Sequence, residues 1–157
     1  TEMTLRECKD THILVAVFPL SILDIRGKVE RKLFYRHEDA WYNKQAFAKD
    51  HGEAGWHLVR KTPVENSISK TWQDQQVFLN KNEEIPTARV MVYTIIGHFL
   101  ATGERLFERI YIRCSGLDSD DDRVYVGFFD SSGLFILYSW DYNDYGYPGL
   151  ASARKSN

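Results

Sequence analysis

The residue types able to do chemistry are present but scattered. Asp118, Asp120 and Asp122 have the alternate spacing with which carboxylates can ligate calcium. The central glycine and distal glutamate of a calcium-binding loop are missing, and Arg123 follows at once. A solvated acidic turn is therefore the expectation. The histidines, His12, His37, His51, His57 and His98, show no H-E-x-x-H spacing and no C-x-x-C partner. His98, between Gly97 and Phe99, is expected to be a hydrogen-bonded core histidine. No G-x-S-x-G elbow, P-loop or G-x-G-x-x-G stretch appears. Cys114 could act as a nucleophile only beside an activating base, and none is visible. Cys8 and Cys114 are expected to be two unpaired, buried thiols. No cofactor and no metal are expected, and the chain does not read as an enzyme.

One stretch stands apart by composition. Residues 124–148 contain no Lys, Glu, Gln or Met, although the other 132 residues hold 25 of them. The same stretch carries 9 of the 22 aromatic residues, separated by Ser, Gly, Asp and Asn. Binding loops share this composition, because Tyr and Trp give broad contact at low entropic cost while small polar residues adapt their hydrogen bonds. The expected binding residues are Phe128, Ser132, Phe135, Leu137, Tyr138, Ser139, Tyr142, Tyr145 and Tyr147, with Trp140 as a fixed anchor. Phe129, Leu134 and Ile136 are equally well read as core, since strands favour aromatic and branched residues anyway.

The elements that must position this stretch follow from periodicity and punctuation. Residues 13–18, and the alternation through Val29, Leu33, Phe34 and Tyr35, read as strands with a turn at Arg26-Gly27. Asp39 is expected to cap a helix running to about Asp50, with Ala40, Trp41, Phe47 and Ala48 on its core side. Residues 56–59 form a short strand that Pro63 stops, and residues 71–80 a second helix. A third, largely buried helix starts at Pro86-Thr87 and ends at Gly103. Strands follow around 110–112, 124–126 and 134–138. Helices early and strands late give an α+β class.

Three stretches carry a family resemblance. Thr71-Trp72-Gln73-Asp74 with Phe78 resembles the S-W-x-D helix opening of the formylglycine-generating-enzyme branch of the C-type lectin fold. Ile85-Pro86-Thr87 followed by Tyr93 resembles that branch's L-P-T-x-x-x-x-x-Y motif. Gly149-Leu150-Ala151-Ser152-Ala153-Arg154 resembles its terminal G-F-R-x-A-R strand, and Arg123-Val124-Tyr125-Val126-Gly127 its R-V-x-R-G-G strand. The resemblance spans residues 36–157. It implies two main helices, small antiparallel sheets, a last strand returning beside the first, and a ligand face between the last two motifs. The late cysteine pair of those enzymes and the calcium motifs of the lectins proper are absent, so the fold carries over and the chemistry does not.

The compositional gap has a genetic counterpart. Substituting the adenines of an AAY asparagine codon yields any NNY codon, a set without Lys, Glu, Gln, Met or Trp. Every residue of 124–148 except Trp140 belongs to it. The chain is thereby similar to the variable proteins of diversity-generating retroelements, which implies a C-terminal face that recognises a macromolecular target, with a protein as the expected partner. An enzyme acting on a small substrate on the same fold, and a structural subunit assembling through the aromatic face, are the alternatives.

The remaining expectations are negative. At 157 residues the chain suits a single domain, 1–157. Its net charge of −2 favours neither nucleic acid nor an anionic membrane. No apolar run is long enough to span a bilayer, so no membrane insertion is expected. No secretory signal is legible, which leaves the cytoplasm as the default.

Overall fold

The structure is a computed structural model that describes residues 1–139 and 148–156. Its class is α+β, with five α-helices and two four-stranded sheets among the described residues. The first sheet has the order β1 (His12–Val17), β2 (Gly55–Arg60), β8 (Ala153–Arg154) and β3 (Glu83–Glu84). The second runs β6 (Gly133–Ser139), β5 (Arg123–Asp130), β4 (Tyr111–Leu117) and β7 (Gly149–Leu150). Neither sheet closes into a barrel.

The longest helix, α5 (Ala88–Thr102), packs against β1 and β2 of one sheet and β4 and β5 of the other. Thr87 caps it, its side chain accepting the Val90 N–H at 3.3 Å, so Pro86 stands just ahead of the cap rather than in the first turn. Gly103 ends it with φ of 76°, a conformation that lets its N–H reach the Phe99 carbonyl at 2.8 Å. Val90, Met91, Val92, Ile95 and Ile96 are all buried, because apolar neighbours lie on both sides of the helix. Leu100, near the C-terminal end of the same helix, is mostly exposed.

Two sequence expectations fail in the first half of the chain. The turn at Arg26-Gly27 lies inside a helix, α2 (Ile22–Lys28). Ser21 and Asp24 form a reciprocal capping box there, and that local bonding overrides the extended reading of the apolar run. Downstream, Arg31–Leu33 is a 3₁₀ turn rather than strand, and only the bridge from Phe34 to Leu134 is sheet-like. The helix expected from Asp39 to Asp50 is broken in two, a 3₁₀ turn at Trp41–Lys44 and the short α3 (Ala46–Lys49). Gln45 is extended between them, held by two hydrogen bonds to Ser119, while Asn43 bonds Arg26 and the Glu38 carbonyl. These long-range bonds outweigh helical propensity over residues 40–50. Asp39 caps nothing and lies 3.8 Å from Arg36.

The other elements are short. The first helix, α1 (Glu2–Cys8), precedes β1, and α4 (Trp72–Val77) begins at Thr71, whose side chain accepts the Asp74 N–H. The last strand, β8, lies between β2 and β3, with β2 separating it from the first strand β1.

Candidate binding face

The second sheet has two unlike faces. Residues of β5 and β6 that pair directly share a face, so Val126 with Ile136 and Val124 with Tyr138 turn toward α5, while Tyr125 with Leu137 and Gly127 with Phe135 turn away. Val124, Val126, Leu134 and Ile136 are buried in the core. Tyr125, Phe135 and Leu137 are half-buried. On β4, Tyr111 shares the outer face and stands 5.1 Å from the Tyr125 ring and 6.5 Å from Phe135.

A bulge decides where Phe128 and Phe129 go. Regular alternation after Val126 would turn Phe128 inward and Phe129 outward. Instead the register shifts between Gly127 and Asp130, with Gly127 at φ of 145° and Phe128 at 48°. Phe128 thereby turns outward onto Tyr111, ring centres 4.5 Å apart, and Phe129 turns inward, fully buried against Phe99. A Cβ on Gly127 would lie 2.1 Å from the Ile110 carbonyl oxygen, so this strand crossing demands glycine. A phenylalanine at positive φ is uncommon and costs on the order of 1 kcal/mol, a strain concentrated at functional sites.

The free edge of β6 is closed by residues from far upstream. The Tyr35 N–H donates to the Leu134 carbonyl at 3.0 Å, which lays the Tyr35 ring on Phe135 with centres 4.1 Å apart and planes 19° from parallel. Trp41 donates its indole N–H to the Ile136 carbonyl at 2.7 Å. Together with Arg36, Asp39 and Tyr111 these rings line a cleft of about 300 Å³. Burial raises the pKa values of Tyr111 and Tyr125, so both hydroxyls stay neutral and able to donate. The face is therefore aromatic, with the buried Arg113 paired beside Tyr125 on the neighbouring strand.

The expected site residues are only partly brought together. Phe128, Phe135 and Leu137 share the outer face. Tyr138 projects from the opposite side of β6, 48% exposed, with its ring 4.6 Å from Trp41. Ser132 is exposed in the hairpin turn, its N–H bonded to the Asp130 carboxylate. Ser139 pairs with Arg123 at the end of β6 and is half-buried. Trp140, Tyr142, Tyr145 and Tyr147 lie outside the described residues. Tyr35, Trp41, Tyr111 and Tyr125 belong to the face and were not expected there. Alternation around Ile110-Tyr111-Ile112 could have found Tyr111, and the same pattern Tyr125; nothing local ties Tyr35 to a residue 100 positions away.

The far end of the stretch is held by a buried polar network. Gln75, fully buried, donates to the Pro148 carbonyl at 2.7 Å and the Ser67 carbonyl at 2.8 Å, and its side-chain oxygen accepts from Arg113 at 3.2 Å. Ser67 in turn accepts the Leu150 N–H at 2.9 Å. Arg113, itself buried, also donates to the Lys70 carbonyl.

Cys8 and Cys114 are free and buried, and burial pushes the Cys114 thiol far above its usual range, away from a reactive thiolate. Asp118 spends a carboxylate oxygen on the N–H groups of Asp120 and Asp122, which makes the acidic run a hydrogen-bonded turn. His98, near the C-terminal end of α5, is mostly buried, its side chain 14% exposed, and is hydrogen-bonded to Glu104 at 2.8 Å. Among the described residues no three His, Cys, Asp or Glu side chains gather as a metal site would require, and no helix is long and apolar enough to cross a membrane.

No family model matches the sequence, and neither a curated protein nor a solved structure is significantly similar to it.

Proposed function

We propose that this chain is a ligand-binding protein whose diversified C-terminal face recognises a macromolecular target, a protein, in the manner of diversity-generating retroelement variable proteins on a C-type lectin-like fold. The observation that carries the reading is how the rest of the chain grips the described part of residues 128–148. Tyr35, Trp41, Arg105 and Gln75 reach Leu134, Ile136, Asp130 and Pro148 through main-chain carbonyls. Such contacts are blind to the side chains they position. Exchanging Tyr125, Phe128, Phe135 or Leu137 leaves every one of these bonds in place, while the inward set of the same strands stays core. The return of β8 beside β2, and Thr71 and Thr87 as helix caps, agree with the lectin-like motifs.

In this reading Tyr35, Trp41 and Tyr111 are constant walls of the cleft, and the outward positions of β5 and β6 are its exchangeable part. Affinity comes from a few aromatic anchors desolvated against the target. The test is in the flanking DNA. A near-identical copy of the region encoding about residues 124–155 is expected, differing where the copy has adenine. The differences should fall on the codons of Tyr125, Phe128, Phe135 and Leu137 and spare Val124, Val126, Phe129, Leu134 and Ile136. Absence of such a copy, or differences spread evenly over inward codons, would overturn the reading.

A further inference from the structure

A second cleft, of about 540 Å³, opens where α5 begins, between that helix, the start of β2 and the residues that precede β2. Arg89 stands in its wall, only 8% exposed. Its guanidinium donates to three main-chain carbonyls, Nη1 to Phe18 at 2.9 Å and to Leu20 at 3.2 Å, and Nη2 to Glu53 at 3.0 Å. Those bonds fix the side chain but bring no counter-charge. Among the described residues no carboxylate pairs with it, although Asp50 and Glu53 line the same cleft. Asp50 turns an oxygen onto the Gly52 N–H at 2.9 Å instead, and Glu53 offers Arg89 its main chain while its own residue stays exposed. The Nε–H and the second Nη2–H of Arg89 are left over. A side chain at residue 52 would cover them, since a Cβ on Gly52 would lie 2.2 Å from Nη2 and 2.5 Å from Nε. Glycine, at φ of 57°, leaves that edge uncovered.

The start of α5 adds to the positive side. Thr87 takes the Val90 N–H, while the N–H groups of Ala88 and Arg89 have no acceptor within the helix. His57 lines the cleft as well, its pKa lowered by burial first and by Arg89 second, so it stands neutral and able to donate or accept. Cationic and anionic groups thus share one cleft without being spent on each other, and Phe47 and Trp56 give it an apolar flank. We propose that this cleft binds a small zwitterion, an amino acid or a short peptide. Its carboxylate takes the free edge of Arg89 and the start of α5, and its ammonium meets Asp50 and Glu53. A simple anion would leave the two carboxylates opposing it, and a simple cation would meet the buried guanidinium, so both are disfavoured. The volume is in the range of small-molecule sites, roughly 300–1,000 Å³. None of these residues lies in 124–148, so the proposal does not rest on the target reading.

Isothermal titration calorimetry tests it with L-phenylalanine and glycyl-L-phenylalanine up to about 10 mM, beyond a millimolar dissociation constant. Saturable binding of at least one is expected. 3-Phenylpropanoate, which lacks the ammonium, 2-phenylethylamine, which lacks the carboxylate, and inorganic phosphate should each bind more weakly by about tenfold or more. The double variant Asp50→Asn with Glu53→Gln changes two exposed residues and keeps an acceptor for the Gly52 N–H, so it should melt as the wild type does. Its affinity for the zwitterion should fall by about tenfold, while 3-phenylpropanoate binds it at least as well as before. No saturable heat from either zwitterion overturns the proposal. Equal binding of one of the half-ligands or of phosphate, or a double variant that binds the zwitterion as the wild type does, overturns it as well.

Discussion

Replacing Gly127 by alanine tests how the binding face is built. The added Cβ would sit 2.1 Å from the Ile110 carbonyl oxygen and 3.0 Å from the Tyr111 Cα, both main-chain atoms that no rotamer change can move. The backbone at φ of 145° is in addition one that an L-residue rarely adopts. Strain of that kind costs about 1–3 kcal/mol, and displacing a neighbouring strand adds about 1–3 kcal/mol of overpacking. The variant should therefore lose about 2–6 kcal/mol, a large share of the stability of a domain this size. Urea unfolding followed by tryptophan fluorescence reads this as a fall in midpoint at constant slope. Phe128→Asn makes the companion variant. Asparagine takes positive φ more readily than phenylalanine, so the relieved strain offsets much of the lost contact with Tyr111, and stability should change by under about 1 kcal/mol. If Gly127→Ala costs less than about 1 kcal/mol, the bulge does not exist in this form and the outward aim of Phe128 loses its cause.

The two faces of β6 should respond oppositely at adjacent positions: Ile136→Ala should cost about 2–4 kcal/mol and Leu137→Ala under about 1 kcal/mol in the same unfolding assay, and equal costs would contradict the register. Gln75→Leu strands two buried carbonyls and removes an acceptor from Arg113, so a loss of about 3–5 kcal/mol is expected; a near-neutral result would mean that Pro148 is held by something else. His12, buried at the junction of β1 with the β3–β8 side of its sheet, has its pKa lowered by burial, which outweighs the attraction of Glu83 at 3.6 Å. The unfolded chain then binds the extra proton, so His12 adds stability above the ordinary value of 6.5 that is lost as pH falls through the lower folded value. His12→Gln should flatten the stability-against-pH curve below about 6.5, and an unchanged slope would refute the assignment.

The elements that were legible in the sequence are those whose signals are local. Thr87 and Gly103 bracket α5, and period-two alternation marks β4, β5 and β6. What was not legible depends on contacts between distant residues. Gln45 and Asn43 break the expected helix because Ser119 and Arg26 offer better hydrogen bonds than the helix does. The pair Phe128-Phe129 gives no hint of which ring faces outward; the neighbouring strand at Ile110 makes that choice by crowding Gly127. The buried Arg113–Gln75 pair is equally invisible, since a charged residue in the middle of a strand reads as solvent-facing until its acceptors are known. α2 is the exception: its signal, the Ser21–Asp24 capping box, is local but lies just beyond the apolar run of residues 13–18.

The proposed reading has an energetic consequence. A face whose outward side chains were exchanged could not be selected for high affinity at every position, so its gain over a bare scaffold would rest on a handful of rings and on the walls supplied by Tyr35, Trp41 and Tyr111. Single-site binding by such a face would then be limited in strength.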